Sequence, residues 1–374
     1  MKIQRIVQKI YKATVATLYK VLTIFSTVKP QKIVFYHYRK DELEGNLLQI
    51  YKEMTTTMPM NDYYVRQSSR KMGFGLFKEL WMIRDASKII IDDYFLTGYL
   101  IKPRRQSEII QLWHAAGAFK KFGHSTKNTH FGPSDDYLSI IPIHSNYSKV
   151  YVSTPQSAIY FAEAFNMKVE DIYGLGIPRI EQLKEASTEP PMPLTTQQRQ
   201  KQSVLFAPTY RAEKGHSESD LKWATEINAI IDEIPDHLLL IIIPHPYSKK
   251  EEWEKLMEND KIIIDFNHNV NDWMPYADCF VTDYSSAIFE YALFEKPLAN
   301  YVPDLQQYMA NRGLYRPIED ISDGAILTNR QQLVAWLSER KKGEKMDTSH
   351  MVQENIGNTE DVSQKIVQHI FATK

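Results

Sequence analysis

A single cysteine, Cys279, occurs among 374 residues, and no Cys/His group has the spacing of a zinc site. An internal disulfide and a zinc module are therefore excluded, and a cytoplasmic, metal-free framework is the expectation. Net charge is nearly missing: 45 Lys plus Arg against 46 Asp plus Glu leave −1 with His neutral. Nothing global favours nucleic acid, and the local basic residues lack interleaved aromatic stacking platforms. Long apolar runs are absent as well. Charges interrupt every run short of the roughly 18 to 20 residues that cross a bilayer, and no small-residue cleavage site follows a compact apolar core, so neither a span nor a signal peptide is expected. Internal repeats and low-complexity tracts are missing too. What remains, 43% hydrophobic and 24% charged residues, is ordinary globular material, enough for two domains at roughly 100 to 200 residues each.

Acidic residues are missing from one place in particular. None precedes Asp41, whereas Lys2, Arg5, Lys9, Lys12, Lys20 and Lys29 all do. Ile3, Ile6, Val7, Ile10, Leu18, Val21, Leu22 and Phe25 recur at three- and four-residue steps, which gathers them on one helical face. The pattern predicts a basic amphipathic segment over 1–30, suited to the surface of an anionic cytoplasmic leaflet and hence to a peripheral, monotopic protein. A helix that simply packs on its own domain is the alternative.

From Gln31 onward β-rich runs alternate with longer helical patterns, the rhythm of parallel α/β domains. Strands are expected at 32–36, 88–92, 108–113 and 149–152, then at VLFAP (204–208), LLLIIIP (238–244), KIIIDF (261–266) and DCFVTD (278–283). The later runs are almost wholly apolar, as strands covered on both faces must be. Between the two series, EASTEPPMPLTTQQRQKQS is polar and proline-bearing and reads as a linker. The scheme is therefore an N-terminal Rossmann-like domain over 31–184, a linker over 185–203, and a second Rossmann-like domain over 204–374. The final helical pattern, 361–371, is free to pack back on the first domain.

Ligands of open parallel sheets sit beyond the carboxyl ends of the strands, so the residues that follow each run carry the functional argument. After 108–113 come His114, the small residues Ala115, Ala116, Gly117 and Ala118, and then Lys120 and Lys121. This is a candidate general base beside a phosphate-attracting field, or a satisfied histidine at a domain edge with lysines on a solvated helix face. Thr209 and Arg211 follow Pro208, and His245 follows Pro244. Arg211 offers a planar fork for phosphate and His245 a donor for an anionic oxygen, unless both merely satisfy loop carbonyls. Asp283, Ser285 and Ser286 stand in a turn between a buried strand and a helix, where backbone amides and hydroxyls suit an anion or simply cap the helix. Glu290 in that helix is a ribose ligand or a solvated face residue. Asp92 with Asp93 and Asp135 with Asp136 are the carboxylate pairs through which a divalent metal is not ruled out.

Taken together, QLWHAAGAFKKFG, FAPTYR, IIIPHP and VTDYSSAIFEYALFEKP resemble, in their order, the CDP-glycerol glycerophosphotransferase family, the teichoic acid enzymes of Gram-positive bacteria. IIIDDY (89–94), GLGIPR (174–179) and NRGLY (311–315) extend the similarity. The first 80 residues match only in general character. The Ala115, Ala116, Gly117 variant of the histidine motif resembles the short TagB/TarB-type primases. The resemblance implies a GT-B fold of two facing Rossmann-like domains, association with the cytoplasmic face of the membrane, and transfer of glycerol phosphate from CDP-glycerol to an undecaprenyl-diphosphate-linked disaccharide with release of CMP. It implies His114 as the base and His245 as a second catalytic group. Thr209, Arg211, Asp283, Ser285 and Ser286 would hold the donor, and Gly117, Lys120 and Lys121 would face the acceptor or cleft. No metal is demanded by these motifs. A ribitol-phosphate transferase, a polymerase, a capsule enzyme or a sugar-transferring GT-B enzyme shares much of the pattern. A catalytically inactive membrane-associated scaffold is the non-enzymatic alternative.

Overall fold

The computed structural model describes residues 2–38, 42–129, 132–211 and 219–372. The chain divides into two compact units. Unit one comprises Met1–Ala115, Phe122–Glu181 and Gly357–Lys374; unit two comprises Ala116–Lys121 and Gln182–Ile356.

Unit one is built on strands β1 (Lys29–His37), β2 (Asp62–Gln67), β3 (Ala86–Ile91), β4 (Glu108–Gln111), β5 (Lys149–Val152) and β6 (Ile172–Gly174). They form one parallel sheet in the order β2-β1-β3-β4-β5-β6. The chain first moves outward from β1 to β2 and then returns to the other side of β1, which places the topological switch point between β1 and β3. Ile33, Val34, Phe35, Ile89, Ile90, Ile109 and Ile110 are fully buried, as the unbroken apolar runs of a doubly covered sheet require. Helix α1 (Lys2–Ile24) packs Val15 and Tyr19 inward. Helices α2 (Gly45–Thr57) and α3 (Gly75–Ile83) follow β1 and β2. The helix Val362–Phe371 also belongs to this unit. Its Val362, Ile366, Val367 and Ile370 join the cluster formed by Ile33, Phe35, Leu47 and Ile50. Lys149 Nζ donates to the His369 and Ile370 carbonyls at 3.1 Å, meeting two of the acceptors left open at a helix C-terminus.

Unit two repeats the plan with β7 (Gln202–Phe206), β8 (Leu238–Ile242), β9 (Ile262–Ile264), β10 (Cys279–Thr282), β11 (Leu298–Tyr301) and β12 (Ala325–Leu327). The parallel order is β12-β11-β10-β7-β8-β9, with the switch point between β7 and β10. All five residues of β7 and all five of β8 are buried. The polar stretch 185–203 is not bare linker, because Thr195 caps a short helix, Thr196–Gln200, through a reciprocal pair with Gln198, and β7 begins at Gln202.

Three differences from the sequence-based scheme have physical causes. β2 is half-buried at three consecutive residues, on both faces, and exposed at its ends, while β6 and β12 are three residues long, too short for a periodic signal. The segment Ala116–Lys121, counted with the first domain on sequence, belongs to unit two. Gly117, at φ +56°, brings its backbone against Phe289 so closely that a Cβ would stand 2.8 Å from the ring. Phe119 also meets Phe289, at 5.6 Å between centroids.

Among the described residues no helix is long and apolar enough to cross a membrane. On α1, Ile3, Ile6, Val7 and Ile10 are between 57 and 79% exposed, and Ile24 and Phe25 farther along are 69 and 84% exposed. The opposite side is tied to the domain: Tyr11 Oη donates to the Gly73 carbonyl at 2.7 Å, Lys12 Nζ to the Ser139 carbonyl at 3.0 Å, and Arg5 pairs with Asp136 at 2.7 Å. The helix therefore both packs on its domain and keeps an outward apolar stripe.

Candidate active site

β4 ends at Gln111, earlier than its apolar run suggests, because Trp113 adopts φ +50°. A bulky residue in the left-handed region is held there only by surroundings that over-determine it. Those surroundings are visible. The Gln111 side chain accepts from the Trp113 N–H at 2.8 Å and donates to the Asp93 carbonyl at 3.0 Å. The Trp113 carbonyl accepts from Asn46 Nδ2 at 2.7 Å, and Asn46 Oδ1 in turn accepts from the Arg179 N–H at 3.1 Å. The Trp113 ring stacks on Phe122 at 5.0 Å and meets Phe165 at 5.2 Å and His144 at 5.8 Å. Burial drives the His144 pKa down to about 3, with repulsion from His124 second, so His144 serves as a neutral wedge.

This nest aims His114. Its Nδ1 lies 2.9 Å from the Asp92 carbonyl, which can only accept, so Nδ1 carries the proton and Nε2 is the basic atom of the ring. The buried carboxylate of Asp93 stands 3.6 Å from Nδ1, where positive charge would develop if Nε2 took a proton. His114 retains 27% side-chain exposure. The pair Asp92 and Asp93 thus supplies a carbonyl and a carboxylate to one histidine. Asp135 is engaged by Lys127 at 2.6 Å and Asp136 by Arg5. Among the described residues no three His, Cys, Asp or Glu side chains converge as a metal set.

In unit two the loops after β7 and β10 meet at the switch point. Thr209 N and Oγ1 donate to the two oxygens of Asp283 at 2.9 and 2.6 Å. Arg211 Nη1 pairs with Asp283 at 2.9 Å and its Nε with Asp304 at 2.9 Å. Asp304 also accepts from Ser219 Oγ and, at 3.0 Å, from Tyr284 Oη. Burial works against the guanidinium, but Asp283 and Asp304 outweigh it and hold Arg211 charged beyond its ordinary range. Thr209, Arg211 and Asp283, read from the sequence as donor-binding residues, form a buried network here. Their polar atoms are spent on one another, in side chains that are at most 3% exposed for Arg211 and Asp283, and together they brace the two loops. Only Arg211 Nη2 lacks a hydrogen-bond partner among the described residues.

Ser285 and Ser286 follow Asp283 in the turn before helix Ala287–Tyr291 and are partly exposed. Ser285 Oγ accepts from the Ala287 N–H at 3.3 Å, while Ser286, at the cap position of helix Ala287–Tyr291, makes no side-chain capping bond. Asp283 therefore does not cap this helix. Glu290 is fully buried and accepts from Asn271, so its reading as a solvated face residue falls. His245, after β8, accepts the Tyr247 N–H on Nδ1 at 3.2 Å, which places its own proton on Nε2. The two histidines are thus set as opposite tautomers, His114 with a basic Nε2 and His245 with a donor Nε2. The helix on which the alternative reading placed Lys120 and Lys121 is not formed. Lys120 bridges antiparallel to Leu314, and Lys121 N–H donates to the Gly313 carbonyl at 3.2 Å, so the FKKFG and NRGLY segments are joined through their backbones.

Asn46, Gln111, Asp304 and Ser219 escaped the sequence reading. Asn46 alone left a trace, a polar residue at four-residue spacing with the buried Ile50 and Met54 of α2. Asp304 and Ser219 lie 93 and 8 residues from Arg211, separations at which no local pattern speaks.

The sequence model of the CDP-glycerol:poly(glycerophosphate) glycerophosphotransferases matches residues 17–372. The teichoic acid ribitol-phosphate primase of Bacillus spizizenii is 33% identical over 354 residues, covering 87% of each chain. The ribitol-phosphate polymerase TarK of Staphylococcus aureus is 28% identical and matches 85% of this chain but 64% of its own length. Among solved structures, the wall teichoic acid polymerase TagF superposes with a TM-score of 0.72 at 19% identity, over 99% of this chain and 97% of that one, which gives the fold as GT-B-like. The match over residues 17–372 takes in His114, the brace of unit two and both sheets, and the chain belongs to the CDP-glycerol:poly(glycerophosphate) glycerophosphotransferase family.

Proposed function

We propose that this protein primes a teichoic acid: it transfers a single alditol phosphate from a CDP-alditol to a lipid-linked saccharide acceptor and releases CMP. The observation that carries the reading is the match to a primase at 33% identity, with 87% of each chain covered. In the proposed step His114 Nε2 removes the proton of the acceptor hydroxyl as its oxygen attacks the alditol-bearing phosphorus. The bond from that phosphorus to the bridging oxygen breaks, and CMP departs with the electron pair. The donor N–H of His245 and the hydroxyls of Ser285 and Ser286 stabilise charge on the diphosphate. Phosphoryl transfer needs chiefly in-line positioning and electrostatic stabilisation, to which a placed base adds about 10²- to 10⁴-fold.

The expected donor is CDP-glycerol. CDP-ribitol is a second reading, favoured by the 33% identity to a ribitol-phosphate primase. The outward stripe of Ile3, Ile6, Val7 and Ile10, next to the basic N-terminus, is proposed to rest on the cytoplasmic membrane surface, where a lipid-anchored acceptor must be met. Purified protein with a short-chain lipid-diphosphate disaccharide and each CDP-alditol in turn tests the whole reading by CMP release and product mass. One added alditol phosphate supports priming. A ladder of products makes the protein a polymerase, and release of CDP in place of CMP makes it a sugar transferase.

A further inference from the structure

A cavity of about 500 Å³ opens in unit one beyond the carboxyl ends of β1, β2 and β3, at the switch point of the sheet. Its walls come from α1 through Val7 and Tyr11, from the loop after β2 through Arg70 and Lys71, from the segment after β3 through Tyr94, and from helix Asp135–Ile140 through Tyr137. We infer that this cavity binds the lipid-proximal end of the acceptor, an anionic amphiphile in which a diphosphate joins a saccharide to a prenyl chain. The inference rests on the priming reading and adds to it a site for one substrate.

Three observations point to that occupant. The first is continuity: Val7 lines the cavity and is itself 58% exposed within the outward stripe of α1, so an apolar chain leaving the cavity runs directly onto that stripe. The second is charge, since the described lining residues include Arg70 and Lys71 and no Asp or Glu. Arg70 is pinned through Nε and Nη2 to the Tyr38 carbonyl at 3.0 and 2.7 Å and lies over the Tyr38 ring, which fixes the guanidinium at the rim. The third is position. Tyr94 directly follows Asp92 and Asp93, the two residues that orient His114, so a saccharide held against the Tyr94 face lies one residue from the support of the proposed base. Tyrosine faces with hydroxyl edges suit a sugar ring, apolar on one side and polar at its rim. A volume of this size falls within the usual range of small-molecule sites, about 300 to 1,000 Å³.

The test uses the full chain and a farnesyl-diphosphate-linked disaccharide as probe. Binding is followed by calorimetry in the absence of donor, and KM is measured with whichever CDP-alditol the wild type turns over. Arg70→Ala and Tyr137→Ala are each expected to weaken probe binding and raise its KM about tenfold, the equivalent of about 1.4 kcal/mol, without moving the Kd of the CDP-alditol. Val7→Trp, which fills the cavity mouth, should weaken the farnesyl probe more than a methyl-diphosphate disaccharide. Thermal melting confirms that the variants fold. Unchanged binding and KM in folded Arg70→Ala and Tyr137→Ala would overturn the inference. So would variants that lose only binding to phosphatidylglycerol vesicles, since the cavity would then hold bulk lipid. If the wild type binds the probe but releases no CMP from either donor, the priming reading fails, while variant-sensitive binding would still uphold the site.

Discussion

Removing the Asp283 carboxylate should damage folding before it damages donor recognition. Asp283 is fully buried and receives the Thr209 N–H at 2.9 Å, the Thr209 hydroxyl at 2.6 Å and the Arg211 guanidinium at 2.9 Å. In Asp283→Ala the two Thr209 donors lose their acceptor, and Arg211 keeps its charge in a buried site with Asp304 as its remaining carboxylate. Breaking one side of a buried, hydrogen-bonded ion pair costs about 3 to 5 kcal/mol. For a unit of this size, 1 kcal/mol moves the midpoint by about 2 to 4 °C, so unit two should melt roughly 6 to 20 °C lower. Differential scanning calorimetry of the full chain reads this directly, with unit one as the internal control. A variant that melts like the wild type but has lost CDP-alditol binding would refute the brace and mark Asp283 as a direct ligand.

Asn46→Ala should lower kcat about tenfold or more with little effect on the donor Kd, because it frees the Trp113 carbonyl and the Arg179 N–H and lets His114 drift; steady-state kinetics beside donor calorimetry separates the two. Gly117→Ala should destabilise by about 2 kcal/mol or more, since its Cβ would meet Phe289 and Asn355 Oδ1 at 2.8 Å with φ at +56°, and chemical denaturation measures the loss. Glu226 supplies the pH test. Burial raises its pKa, but the Arg330 pair at 2.7 Å and the Tyr301 hydrogen bond outweigh burial and bring it below its ordinary 4.5. Its folded-state pKa being depressed, the pair's contribution is present above pH 4.5 and disappears as pH falls through the folded value. Arg330→Ala should therefore cost about 1 kcal/mol at pH 7, discounted because Arg330 is 46% exposed, and nothing once Glu226 is protonated. An equal deficit at both ends of a pH titration of stability would contradict the assignment.

Much of this fold is legible in the chain because its strands are continuous apolar runs closed by proline or by a polar pair. LLLII before Ile243 and Pro244 could be little else, and VLF before Ala207 and Pro208 repeats the device. The edge strands were harder for the same reason in reverse. β2 is half-buried on both faces through its middle, and β12 has three residues, so neither leaves a period to detect. His114 and His245 are legible as strand-end histidines, yet their opposite tautomers depend on a carbonyl at Asp92 and an amide at Tyr247, partners that composition cannot announce. Arg211 shows the limit most clearly. Its sequence surroundings suit phosphate, and only the fold reveals that Asp283 and Asp304, 72 and 93 residues away in the chain, have taken most of its donors. The apolar spacing of α1 likewise does not say which residues turn inward, and the packing of Val15 and Tyr19 settles it.

The central claim is that His114 acts as the base in a transfer that releases CMP. The most direct measurement is the single-turnover rate of CMP formation by wild type and His114→Ala, each preloaded with CDP-alditol and mixed with the lipid-linked acceptor. The account predicts a fall of about 10²- to 10⁴-fold in the variant with donor binding intact. A His114→Ala protein that binds donor and forms CMP within about tenfold of the wild-type rate would contradict it.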